Sequence, residues 1–305
     1  MSTKLTTLAE AVRTLVRDGD QVVLGAGLEQ AIPFAAAHEI IRQGKRNLTS
    51  VAPISDMVGD MLIGAGCIAK VVGAWMGNVS AGLGHNYRRA VEQGLPHPIA
   101  IEDYSNFTLA LALWAGAYGA PYVPVRTILG SDIMASNPKI LKAEDPYTKT
   151  PIALIPPLRP DVAFLSVQRA AANGDSHVWG NLGVMQEAGM AAERVILLAD
   201  QIVASEVIAS DPNRVIVPGF RVAAVVHTPC GQHPSPLAGH WKRDGDFFTD
   251  YHRLSREPES FQAWLKEWVF EPGSPEGYLA KLGRRVEALR IREQALSVPA
   301  NYGAS

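Results

Sequence analysis

Glu102 and Asp103 stand directly after the apolar run Ile99-Ala100-Ile101 and before a helical pattern that Ser105 or Asn106 would cap. In a parallel sheet, ligands gather outside the carboxyl ends of the strands, where such a pair falls. A carboxylate there can be a base, a nucleophile or only a helix-terminus partner, and spacing alone favours the structural role. Gly25-Ala26-Gly27 also follows a short apolar run, Gln21 to Leu24, and precedes a helical pattern. Glycines let a ligand come close to the backbone, and the N–H groups can face a developing anion. The loop is not a dinucleotide fingerprint. Gln30 stands where the third glycine belongs, and no acidic residue closes a second strand about 20 residues on.

Other candidates have plainer readings. His227, Cys230 and His233 are spaced by three, as some zinc ligands are, but a structural zinc site wants four ligands. Pro229 and Gly231 make the segment a strand-ending turn whose loop packs His233, so no metal is expected. Gly130-Ser131-Asp132 is a turn signal and not a nucleophile elbow, because no G-x-S-x-G is present. Arg88-Arg89 lies on a helical pattern, where a solvated face is the default and contact with phosphates the alternative.

Positioning these residues takes alternating strands and helices. Strand-like runs recur at 48–51, 68–74, 99–101, 122–127, 152–155, 162–167, 195–199, 215–217 and 222–227. Helical patterns lie between them at 33–43, 57–63, 87–93 and 106–118, after a first helix that Thr7 and Glu10 open as a capping box. Apolar strands buried on both faces, alternating with helices, predict an open, mostly parallel α/β sheet with flanking helices. From 245 to 305 the pattern turns to charged amphipathic helices, at 247–254, 258–270 and 275–296. No linker precedes them, so residues 1–305 read as a single domain with a helical C-terminal extension.

Composition narrows the function. Lys and Arg number 28 against 30 Asp and Glu, a formal net charge of −2, which gives no reason to expect nucleic acid or an anionic membrane. Two cysteines cannot build a disulfide framework, and no apolar stretch is long enough for a membrane span or a leader. A cytoplasmic protein is the expectation.

Several motifs in order resemble one family. They are Asp18-Gly19, Val22 to Leu24, Gly25-Ala26-Gly27 and Pro33; Asp60 to Gly66; Glu102 to Ser105, Pro121 to Val125 and Gly130-Ser131; Asn173-Gly174 and Val178 to Gly180; Pro229 to Ser235; and Lys266 to Phe270. Together they are similar to the α subunit of the glutaconate CoA-transferase type, among the family I CoA-transferases. Where that family has Gly-Gly-Phe this chain has Gly25-Ala26-Gly27, in the loop the family places at its active site. The resemblance implies a heterodimer or α2β2 assembly with a β subunit, acyl-CoA and carboxylic acids as substrates, a catabolic role, and no permanently bound cofactor.

It also implies the chemistry. A β-subunit glutamate attacks the thioester, and no Glu-x-Gly after a strand offers that context here. Gly25, Ala26 and Gly27 then form the oxyanion or acyl pocket. Asn78 and Ser80 line the substrate side, unless they are helix caps. The alternative on the same scaffold is a ring-opening acyl-CoA hydrolase with Glu102 as base. A non-catalytic or sugar-phosphate isomerase domain is a third class.

Overall fold

Among residues 3–291, which a computed structural model describes, the apolar runs become strands. In chain order they are β1 (Leu5–Thr6), β2 (Gln21–Val23), β3 (Leu48–Ser55), β4 (Ile68–Met76), β5 (Ala100–Asp103) and β6 (Val123–Val125). β7 (Leu141–Glu144), β8 (Pro151–Ile155), β9 (Val162–Ala170), β10 (Ser176–His177), β11 (Arg194–Ile202) and β12 (Val222–His227) follow. The main sheet runs β1-β12-β11-β9-β2-β3-β4-β5, with every neighbouring pair parallel. β10 folds back antiparallel on β9.

Successive residues of the central strands feed opposite cores. Val22 and Leu24 enter one and Val23 the other; Phe164 enters the first, Ala163 and Leu165 the second. With both faces covered, such strands read as unbroken apolar runs. One face carries helices Leu8–Leu15, Phe34–Arg42 and Met57–Gly64, and Gly245–Leu254 and Pro258–Leu265 pack into the same core. The other face carries Asn106–Tyr118 and Met185–Ala191. The C-terminal helices are anchored by polarity as well. Buried Asp60 accepts hydrogen bonds from Tyr251 Oη at 2.6 Å, Asn86 Nδ2 at 3.0 Å and the Tyr87 N–H at 2.8 Å.

From β2 the chain steps through β3 and β4 to β5 on one side. From β9 it steps through β11 to β12 on the other. The β2/β9 boundary is therefore a topological switch point, where loops leaving adjacent strands diverge and open a crevice.

The open parallel sheet with its helical C-terminal region is as the sequence predicts. Several elements differ. Residues 122–127 and 152–155 form, with β7, a separate antiparallel sheet ordered β6-β8-β7. Pro124, which has no N–H to donate, is tolerated because β6 is an edge strand. Residues 215–217 are not a strand: Pro212 and Pro218 bracket them, and Ile216 and Val217 are buried by packing alone. Glu102 and Asp103 lie inside β5 instead of after it. The helical pattern at 275–296 is broken at Gly283, giving helices Pro275–Leu282 and Arg284–Leu289, and its last residues lie outside the described part.

Candidate active site

The loop after β2 is a tight double turn. Gly25 has φ +86°, a left-handed conformation, and a Cβ there would come within 3.3 Å of the Ile54 carbonyl oxygen. Glycine is favoured on both counts. The Leu28 N–H donates to the Gly25 carbonyl at 3.1 Å, and the Gln30 N–H to the Gly27 carbonyl at 3.4 Å. The segment between β10 and helix Met185–Ala191 meets it: the Val184 N–H donates to the Ala26 carbonyl at 2.8 Å and Gln30 Nε2 to the Asn181 carbonyl at 2.6 Å. Gly25, Ala26 and Gly27 are all buried, yet their N–H groups find no acceptor among the described residues. Buried amides left unpaired cost about 1–3 kcal/mol each, so these three are free to receive an acceptor from outside the described residues.

The loop after β4 forms the opposite wall. Asn78 is buried; its Oδ1 accepts from the Ser80 N–H at 3.0 Å and its Nδ2 donates to the Phe248 carbonyl at 2.8 Å. Asn78 is thus a loop organiser tied to the C-terminal helices, neither a helix cap nor an exposed lining residue. Ser80 is exposed, and its Oγ accepts from Arg243 Nη2 at 2.8 Å and Nε at 3.1 Å. The same guanidinium donates to the Glu29 carbonyl at 3.3 Å and to Asp56 Oδ2 at 3.3 Å. Its flat face lies over the Phe248 ring, 3.8 Å from the centroid. Arg243 therefore joins the Gly25 and Ser80 loops.

Asp56 is wholly buried at the carboxyl end of β3. Its Oδ1 accepts from the Met57 and Val79 N–H groups, at 2.8 and 2.9 Å. Burial pushes its carboxyl above the usual range, against the pull of those amides and of Arg243. Sequence reasoning missed both Asp56 and Arg243. An aspartate between an apolar strand and a helix was a readable signal for the first. The second had no local signal, because it faces its partners only through the fold.

Glu102 lies apart, on edge strand β5, three strands from β2 or roughly 14 Å at about 4.8 Å per strand. Its Oε2 accepts from Lys70 Nζ and from Lys139 Nζ (2.8 Å), and its Oε1 from Tyr104 Oη at 3.2 Å. Burial would raise its pKa, but the hydrogen bonds and charges of Lys139 and Lys70 outweigh that and hold it below the ordinary value.

Other sequence candidates resolve into packing. His233 meets Tyr278 Oη at 2.7 Å and Asp244 Oδ2 at 3.0 Å, and no group of three ligating side chains suited to a metal occurs among the described residues. Arg89 departs from the solvated-face reading: it donates to the carbonyls of Arg256 and Ser255, closing the end of helix Gly245–Leu254. Arg88 pairs with Glu92 on the surface. No described helix is long and apolar enough to cross a membrane.

Residues 5–228 match the family model described as coenzyme A transferase. The chain is 41% identical over 266 residues to the A subunit of 3-oxoadipate CoA-transferase from Pseudomonas knackmussii, covering 87% of this chain and 93% of the relative. It is 30% identical over 297 residues to the A subunit of glutaconate CoA-transferase from Acidaminococcus fermentans, covering 92% of each. The crystal structure of that organism's glutaconate coenzyme A-transferase superposes with a TM-score of 0.90, covering 95% of this chain and 96% of that one. A more distant relative is a cholesterol ring-cleaving hydrolase subunit of Mycobacterium tuberculosis, 27% identical over 287 residues, covering 88% of this chain and 94% of that one.

Proposed function

We propose, from the fact that this chain belongs to the coenzyme A transferase family, that it is the α subunit of a two-subunit enzyme moving CoA between carboxylic acids. The observation that carries the reading is the row of unpaired, buried amides at Gly25, Ala26 and Gly27, at the β2/β9 switch point. Acyl transfer passes through tetrahedral oxyanions, and preorganised N–H donors stabilise them without reorganising.

In this mechanism a glutamate from the partner chain attacks the thioester carbon and expels CoA thiolate, leaving a mixed anhydride. The thiolate attacks the glutamyl carbonyl of that anhydride, releasing the first acid and leaving a glutamyl-CoA thioester. The second acid collects CoA by the reverse steps, so no bond energy is lost to water. The Gly25 loop serves each tetrahedral oxyanion, and the present chain needs no nucleophile of its own.

A hydrolase would need Glu102 to take a proton from water. A carboxylate already accepting from two lysines, with its pKa lowered, is a weak base, and it sits three strands from β2 and its Gly25 loop. Those features favour transfer.

The test is the holoenzyme made by co-expressing both chains. It should exchange CoA between an acyl-CoA and a free acid, and borohydride should reduce a glutamyl-CoA thioester to the alcohol, releasing CoA, on the partner chain alone. Turnover that yields only hydrolysed acid, or an adduct on this chain, would overturn the reading.

A further inference from the structure

An antiparallel sheet that rests one face on the body of a protein commonly turns polar side chains to water on the other. The sheet β6-β8-β7 does not. Val125, Ala153 and Ile155 face the second core, beside helix Asn106–Tyr118. By register, Pro124, Leu141, Ala143, Ile152 and Leu154 share the opposite face, and all are apolar. A groove of about 610 Å³ runs along that face, with Tyr122 and Tyr147 in its walls. Tyr147 is 93% exposed and Leu141 59%. Contiguous apolar surface with aromatic side chains at its margin marks a protein–protein contact.

The charges around the groove say what covers it. Arg126, directly after β6, and Asp145, directly after β7, both line it. β8 lies between their strands, so they stand two strand spacings, roughly 10 Å, apart at the same end of the sheet. Arg126 makes no ion pair among the described residues. The Asp145 carboxylate accepts hydrogen bonds only within its own turn, from the Tyr147 N–H at 2.9 Å and the Thr148 hydroxyl at 2.7 Å. A two-fold axis between two such faces, parallel to the strands, would set β6 of each copy over β7 of the other. Arg126 of each chain then meets Asp145 of the other, twice over, while the apolar rows close on one another. The strand directions stay aligned, as in other pairs of packed sheets. The face is complementary to itself in charge as well as in polarity, which is the condition for an isologous contact.

The face is also separate from the Gly25 loop. Asn137, in the chain leading into β7, donates through Nδ2 to the Asp103 carbonyl at 2.9 Å, on edge strand β5, three strands from β2. We propose that the outer face of the small sheet joins two copies of this chain, so that the assembled enzyme carries its crevices in pairs related by a two-fold axis.

The experiment measures the mass of the co-expressed two-chain enzyme by light scattering over a range of concentrations. An even number of copies of this chain per particle is expected. Arg126→Glu sets carboxylates against each other at both ends of the contact, and should raise the dissociation constant of the paired particle at least about a hundredfold. Asp145→Lys should do the same with cations. Mixing these two variants restores both ion pairs in a mixed particle, so the wild-type mass should return. Should Asp145→Lys fail to fold, Leu141→Glu carries the test, because it places a carboxylate inside the apolar face of each copy and must halve the particle. A wild-type particle with a single copy of this chain would overturn the proposal. So would Arg126→Glu and Leu141→Glu particles of wild-type mass, since another face would then hold the copies together. Loss of the partner chain from Arg126→Glu, with the second copy retained, would assign the face to that partner and overturn the proposal too.

Discussion

Replacing Gly25 by alanine separates two effects that the loop combines. An L-residue in a left-handed conformation costs roughly 1–2 kcal/mol, and φ at Gly25 is +86°. The added Cβ also comes within 3.3 Å of the Ile54 carbonyl oxygen, so the loop must give by a few tenths of an ångström. For a chain of this size that strain lowers Tm by about 3–6 °C. The same displacement takes the loop amides out of line with the oxyanion, which should cut kcat by about 10²–10³ with little change in KM. Gly19 supplies the control. Its φ is +88°, but nothing lies within 4 Å of where a Cβ would stand, and it precedes β2 at the amino end of the sheet. Gly19→Ala should show a similar fall in Tm by calorimetry and no comparable fall in kcat. If Gly25→Ala loses Tm but keeps kcat within about threefold, the amides do not face the transition state and the site is misplaced.

Glu102→Gln should keep CoA exchange within about threefold while lowering stability by about 1–2 kcal/mol in urea, because Lys70 and Lys139 lose their shared counter-charge. A loss of exchange above a hundredfold would restore Glu102 as a catalytic base. His38 is buried, its Nε2 has no hydrogen-bond partner among the described residues, and burial, with Arg42 and His233 nearby, drives its pKa down to about 3. The imidazole stays neutral in the fold but protonates in the unfolded chain below about 6.5, so stability falls as pH drops from there towards 3. That one group removes about 2 kcal/mol between pH 7 and pH 5, and His38→Leu should flatten the denaturation profile by that amount. An unchanged profile would place the acid sensitivity elsewhere.

The sheet was legible because its strands bury both faces: Val22 to Leu24, 162–167 and 195–199 are apolar without alternation, which few other structures require. The small sheet was not, since 122–127 and 152–155 are as apolar as the main strands, and nothing local says which sheet a strand joins. Pairing is decided by long-range register, and β7, with Lys142 and Glu144 exposed at its edge, offers no apolar run to find. The 215–217 segment misled for the complementary reason. Its side chains are buried like a strand's, but prolines on either side deny it the ladder.

The candidate site divides along the same line. Gly25, Ala26 and Gly27 were legible as candidates because a backbone function needs residues of a particular kind in one short stretch. Glu102 could be found as a carboxylate near a strand end, but its charge state depends on Lys70 and Lys139, which local sequence does not bring to it. Asn78 and Ser80 were found together and then take opposite roles, one turned inward to Phe248 and the other outward under Arg243. The difference between them is set by where helix Gly245–Leu254 docks, and Asp60, Asn86 and Tyr251 fix that docking on the far side of the same helix. The helical C-terminal region is therefore part of the site's construction: it carries Phe248 beneath the guanidinium of Arg243, which stands just before its first helix. A Tyr251→Phe change, distant from the crevice, would loosen the helix before it touched the loop amides. The Ser80 loop should then loosen ahead of the Gly25 amides, because Arg243 stands next to the helix's cap, Asp244, and Gly25 lies on another part of the sheet.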